Sequence, residues 1–308
     1  MHPLRLPDQF VRTVEQTFAP QGREWLQNLP NLLAWCGHHW QLTILPPYPN
    51  LSYNYVAPAR RRDGTAVVLK LGIPRSELVT EAAALTHFNG RGAVRLLAAN
   101  LEKGALLLNQ LTPGHTLASQ LLSNQIDDDT ATRLAAQLMA ALWQPPPDQH
   151  PFPTTADWAK GFQRLRRHFA GGTGPLPEKW VAKAEAIFAE LLADSSTTVL
   201  LHGDLHHENI LASSGNTWTA VDPKGVIGEP AYEAGTLLRN PYPAVTTWPE
   251  LSRRQARRLD ILAETIALDR QKMARWAFAQ AVLSAWWSIE DGGTVEKQWL
   301  IIAQSLNS

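Results

Sequence analysis

The run His202-Gly203-Asp204-Leu205-His206-His207-Glu208-Asn209-Ile210 sets an aspartate and an asparagine five positions apart, and twelve residues then separate Asn209 from Asp222-Pro223-Lys224-Gly225. A carboxylate, an amide and a second carboxylate in this order suit phosphoryl transfer. The first can orient a hydroxyl for in-line attack and take its proton late, while the other two can hold Mg²⁺ against nucleotide phosphates. Asp204 is therefore the candidate general base, and Asn209 and Asp222 are the candidate metal ligands. Hard oxygen donors suit Mg²⁺, and few are needed because phosphates and water complete its shell. Taken singly, a Gly-Asp pair reads as a capped loop and an Asp before Pro as a turn former. The set of three favours chemistry.

Three histidines crowd the same stretch. His202 and His206 have the four-residue separation of a helical zinc pair, but Gly203 and Asp204 between them fit a loop. His202 is expected to support the loop backbone, and His206 or His207 to lie near the phosphate path or the acceptor.

Lys70 is the candidate for the α- and β-phosphates. Such a lysine needs a carboxylate on the following helix, and Glu81 is the choice, with Glu77 one turn earlier as the substitute. The plainer alternative is a solvated strand-end lysine with surface glutamates. No G-x-G-x-x-G motif lies between the first two expected strands, where Pro46-Pro47-Tyr48-Pro49-Asn50-Leu51-Ser52 stands instead. Prolines lack donors, so the Ser52 hydroxyl and the remaining amides would have to reach a phosphate. Adenine is expected against main-chain groups at Gln110 and Leu111.

The elements that must position these groups follow from periodicity. Two amphipathic helices are expected at 7–18 and 22–38, then strands at 43–45, 53–56 and 66–71, the last two joined through Arg62-Asp63-Gly64. A helix at 75–88 and strands at 93–99 and 104–109 complete a five-stranded antiparallel sheet with one helix inserted. Beyond it the pattern is helical at 116–122, 128–143, 155–169, 177–193, 249–267, 270–290 and 294–305. Segment 201–229 is the only strand-like interruption, with short strands near 210–212 and 217–221. The fold class is α+β: a protein-kinase-like, two-lobed plan with a β-rich N-terminal lobe over 1–109, a hinge near 110–114 and a helical C-terminal lobe over 110–308.

Composition narrows the partners. With 28 basic and 28 acidic residues the formal charge is zero, so nucleic acid has no electrostatic footprint to bind. No run approaches the roughly 18 uncharged apolar residues of a membrane span, and no apolar segment near the start resembles a signal peptide. A single cysteine, Cys36, excludes an internal disulfide and suits a reducing compartment. A cytoplasmic protein, monomeric or weakly dimeric, is expected. The twelve tryptophans read as core packing or as a cleft that stacks on sugar rings; Trp286 and Trp287 cannot face the same way on one helix.

At these residues the chain resembles the aminoglycoside phosphotransferases, and more narrowly the streptomycin phosphotransferase branch of aminoglycoside/hydroxyurea resistance kinases. The resemblance rests on Asn89-Gly90-Arg91-Gly92-Ala93-Val94-Arg95-Leu96-Leu97, on the His202–Ile210 run, on Val221-Asp222-Pro223-Lys224-Gly225, and on Gly228-Glu229-Pro230-Ala231-Tyr232-Glu233. Arg239-Asn240-Pro241 and Leu283-Ser284-Ala285-Trp286 extend it. It implies a kinase-like fold, ATP with Mg²⁺, and transfer to a hydroxyl of a small aminoglycoside, streptomycin by preference, with Asp204, Asn209, Asp222 and Lys70 in the roles given above. A polycationic acceptor wants an acidic wall. Candidates are Glu229, Glu233, Glu290 and Asp291, each equally readable as a surface or capping residue. Trp286 and His206 join them as acceptor contacts, since the resemblance implies that the helix carrying Trp286 and Trp287 lines the acceptor site.

Overall fold

The computed structural model of the chain describes residues 5–194, 197–215, 217–293 and 297–307. They divide into two compact units, Met1–Gly90 with Val94–Leu111, and Arg91–Ala93 with Thr112–Ser308.

The first unit opens with helices α1 (Asp8–Thr17) and α2 (Gln21–His39). Strands β1 (Leu42–Ile44), β2 (Tyr55–Arg61) and β3 (Ala66–Leu71) follow, then helix α3 (Ser76–Phe88) and strands β4 (Leu96–Asn100) and β5 (Ala105–Asn109). The sheet order is β1-β2-β3-β5-β4, antiparallel throughout, as the alternating apolar runs imply. Phe10 and Val14 of α1, and Trp25, Leu29, Leu32 and Cys36 of α2, recur at helical spacing and bury against Tyr55, Ala57, Leu69 and Leu71 of the sheet. Strand side chains alternate faces. Lys70 is therefore out of phase with Leu69 and Leu71, on the face that α1 and α2 do not cover.

The second unit contains α4 (Leu117–Leu122), α5 (Asp128–Leu142), α6 (Thr155–His168) and α7 (Glu178–Asp194). Strands β6 (Val199–Leu201), β7 (Ile210–Ser213), β8 (Thr217–Ala220) and β9 (Val226–Gly228) come next, then α8 (Ala234–Leu238), α9 (Leu251–Ile266), α10 (Arg270–Glu290) and α11 (Lys297–Ser305). Every residue of α10 from Trp276 to Trp286 is buried, and α6, α7, α8, α9 and α11 all pack on it. A helix buried all round is the axis of this unit's core. Among the described residues no helix is long and apolar enough to cross a membrane.

Several boundaries depart from the expected ones. β2 starts at Tyr55 and runs on to Arg61, because the stretch before it is a bend. Strand pairing around the motif starts before 201: Val199–Leu201 pairs with Val226–Gly228, so the motif loop leaves one strand and the Asp222 turn enters its neighbour. The short helix Ala234–Leu238 carries too few residues to show periodicity and was not expected. The expected start of the last helix, at 294, lies outside the described residues.

Candidate active site

In the first unit, Lys70 Nζ lies 2.7 Å and 2.8 Å from the two carboxylate oxygens of Glu81. Both residues are 5% exposed. Glu77 is exposed and pairs with Arg75 instead, so the turn of α3 that faces the sheet selects Glu81. Ser52 is exposed in the bend before β2, and half-buried Gln110 and Leu111 close the unit after β5.

In the second unit, the His202–Asn209 loop is stitched to the Asp222 turn by the backbone. Val221 N–H donates to Asn209 O at 2.9 Å, and Lys224 and Gly225 N–H donate to His202 O at 2.8 Å and 3.1 Å. The buried His202 ring adds a side-chain link. Its Nδ1 accepts the Asp204 N–H at 3.2 Å, which assigns the proton to Nε2, and Nε2–H donates to Val221 O at 3.0 Å. Desolvation pushes its pKa down to about 4, so the ring is neutral near pH 7.

Gly203 holds φ at +81°, and a Cβ there would lie 3.0 Å from Val226 Cγ1 and 3.1 Å from Trp158 Cη2. Only glycine combines that backbone with that closeness. Asp204 follows, half-buried, its carbonyl oxygen accepting Asn209 Nδ2–H at 3.0 Å. Spending the amide nitrogen in this way leaves Oδ1 as the group Asn209 presents to a cation. Asp222 stands just beyond β8 with φ +61°, a left-handed conformation uncommon for a non-glycine residue. Two hard oxygen donors joined by one backbone network fit Mg²⁺. Among the described residues no three His, Cys, Asp or Glu side chains gather as a metal-binding group.

His206 and His207 part company. His206 Nε2 lies 3.8 Å from Asp204 Oδ1 and 3.3 Å from Asn209 Nδ2, beside the motif carboxylate. His207 is fully buried, neither ring nitrogen has a hydrogen-bond partner among the described residues, and desolvation holds its pKa well below 6.5.

The expected acidic wall is rearranged. Glu233 is 1% exposed and turns inward, its carboxylate accepting the N–H of His202 at 2.7 Å and of Gly203 at 3.0 Å. Burial pushes its pKa up to about 7 against the pull of those donors. It anchors the motif loop and faces no solvent that an acceptor could occupy. Glu229 is also buried, bonded to Trp276 Nε1 and, at 3.3 Å, to Lys272. Glu290 forms a two-pronged pair with Arg164, Nε at 2.5 Å and Nη2 at 3.0 Å. Asp291 is exposed at the C-terminal cap of α10. Trp286 is 2% exposed and packs against His168 and Phe169, so it belongs to the core. Its neighbour Trp287 is half-buried and meets Trp158. Trp158 escaped the sequence reading because nothing local in the α6 segment distinguishes it from any amphipathic helix.

An antiparallel five-stranded sheet with its inserted helix, a helical second unit and a buried lysine–glutamate pair together define a kinase-like phosphotransferase. The chain belongs to the aminoglycoside/hydroxyurea antibiotic resistance kinase family, whose model matches residues 40–292. A streptomycin 6-kinase of Streptomyces glaucescens is 30% identical over 305 residues, covering 98% of this chain and 97% of its own. A hydroxyurea phosphotransferase of Kitasatospora aureofaciens is 30% identical over 300 residues, covering 94% of this chain and 82% of its own. Among solved structures, a choline kinase of Streptococcus pneumoniae matches with a TM-score of 0.61 at 11% identity, covering 91% of this chain and 98% of that one. That likeness is one of fold. Members of the family transfer phosphoryl groups to hydroxyls, and this chain is such an enzyme.

Proposed function

We propose that the enzyme transfers the γ-phosphoryl group of ATP to a hydroxyl of streptomycin, with Mg²⁺ as the metal. The reading is carried by one observation. Hydrogen bonds join the Asp204–Asn209 loop to the Asp222 turn in a chain that a streptomycin 6-kinase matches almost end to end, which supports reading Asp204 as the base and Asn209 and Asp222 as metal ligands.

Asp204 orients the acceptor hydroxyl and takes its proton as the new O–P bond forms and the bond to the departing ADP oxygen breaks. Asn209 Oδ1 and the Asp222 carboxylate would hold Mg²⁺, which when bound neutralises phosphate charge. Lys70, fixed by Glu81, serves the nucleotide phosphates. His206, beside Asp204, contacts the acceptor or the phosphate in transit.

The test is a mass spectrum of streptomycin after incubation with enzyme and MgATP. A gain of one phosphate, about 80 Da for this reaction class, supports the proposal, and Asp204→Ala should lower turnover by roughly 10²–10⁴ while nucleotide binding persists. Hydroxyurea belongs in the same assay, because a relative of that name is as similar. Phosphorylation of hydroxyurea alone would replace streptomycin as the acceptor, and an Asp204→Ala enzyme with undiminished turnover would remove the base.

A further inference from the structure

A cationic acceptor needs a counterpart near Asp204, and the carboxylates expected to supply it already have partners. Glu233 is spent on the motif backbone, Glu229 on Lys272 and Trp276, and Glu290 on Arg164. One half-buried indole, Trp158, stands beside the loop instead, and a second, Trp287, packs against it. Trp158, in the first turn of α6, brings its ring edge so close to Gly203 that a Cβ there would lie 3.1 Å from Cη2. Trp287, in the last turn of α10, meets Trp158 edge to face, with ring centroids 5.8 Å apart and planes at 86°.

The neighbourhood is built for this pair. Gly161, one turn along α6 from Trp158, lacks the side chain that would crowd α10; a Cβ there would lie 2.7 Å from Leu283 Cδ1 and 3.4 Å from Trp287 Nε1. Buried Tyr232 packs against Trp158 at 5.9 Å. Neither the Trp158 nor the Trp287 indole N–H donates to another described residue, while both rings retain exposed surface. Glu290, the last residue of α10, stands three residues beyond Trp287 on the same face, and Asp291 caps the helix. An aromatic face attracts a cation through its quadrupole, and a planar guanidinium stacks on it better than a compact ammonium does.

We infer that Trp158 and Trp287 form an aromatic subsite next to Asp204 that receives a guanidinium-bearing cyclitol ring of the acceptor, and so set acceptor specificity. The inference rests on the function proposed above and names the feature of the acceptor that this site reads. Streptomycin carries guanidinium groups on its cyclitol.

Two probes separate the chemistry: streptidine, the guanidinium cyclitol of streptomycin, and streptamine, its amine counterpart. Each is measured as an inhibitor of streptomycin phosphorylation by the wild-type enzyme and by the Trp158→Leu, Trp287→Leu and Trp287→Phe variants, with the KM for ATP recorded throughout. Streptidine should inhibit the wild type about tenfold better than streptamine, and either leucine variant should erase most of that ratio. Trp287→Phe should keep most of it, with the KM for ATP unmoved. Equal inhibition by the two cyclitols, inhibition by neither, or a ratio that survives both leucine variants overturns the subsite. The wild-type comparison remains decisive even where a variant fails to fold. A wild-type enzyme inert toward streptomycin would sink the proposed function itself, a result read separately from the inhibitor ratio.

Discussion

The Nε2–H of His202 donates to the main-chain oxygen of Val221 at 3.0 Å, and this neutral, buried ring sets the spacing between the Asp204 loop and the Asp222 turn. Replacing it by alanine leaves the Asp204 N–H and the Val221 carbonyl without that partner, at about 1–3 kcal/mol for each buried group left unpaired. His202→Ala should therefore lower both the denaturant midpoint and kcat, with the acceptor KM changing less. His202→Gln, which can both donate and accept, should regain part of each. Unaltered kcat in a destabilised alanine variant would limit the ring to a structural role.

The Lys70–Glu81 pair makes a second test, in which stability and activity separate. Lys70→Met strands a 5%-exposed carboxylate, and breaking a buried pair from one side costs about 3–5 kcal/mol. Lys70→Met with Glu81→Met should recover most of that stability in urea melts yet remain inactive, because the proposed role of Lys70 leaves no cation to serve the phosphates. An active double variant would dismiss Lys70 from the reaction.

Helix α6, which carries Trp158, begins with a capping box in which Asp157 accepts the Thr154 N–H at 2.8 Å and Thr154 Oγ1 accepts the Asp157 N–H at 3.1 Å. Lys160, and then the Thr154 donors, hold the Asp157 carboxyl down to about 2. Folding lowers this pKa, so the unfolded chain binds the proton more tightly. The stabilisation is complete above the unfolded carboxylate range near 4, and it is lost as pH falls through about 2. Asp157→Asn should cost about 0.5–1 kcal/mol at pH 7. Urea midpoints measured from pH 7 down to pH 3 should show the gap between variant and wild type narrowing only below about pH 4; a gap constant across that range would count against the ionised cap.

Cys36 lies fully buried in α2, and burial pushes its thiol up to about 11. An aromatic disulfide reagent at pH 8 should leave the folded enzyme untouched and titrate one thiol in denaturant, since the thiolate is the reacting form. Rapid labelling of the native protein would show that α2 opens readily.

Much of this was legible in the sequence because it depends on short spacings. The Asp204, Asn209 and Asp222 intervals, the strand-borne Lys70, and the 3.6-residue periods of α1, α2 and α5 are local signals that tertiary structure did not override. What was hidden depends on contacts between distant segments. Glu233 reads in isolation as one more acidic residue; its inward turn becomes visible only when the loop thirty residues earlier arrives to donate its N–H groups. Trp286 and Trp287 are indistinguishable by type, and their opposite fates follow from which side of α10 meets Phe169 and which meets Trp158. β6 and β9 are three-residue strands, too short for alternation to be read.

The anchoring carboxylate of Glu233 also fixes an order of events during synthesis. The ribosome makes the motif loop first and its anchor later, so a nascent chain that stops short of Glu233 has the motif loop without the carboxylate that clamps it. Splitting the gene anywhere between the two should yield halves that are inert until they rejoin, and premature termination in that interval should leave nothing partly active behind.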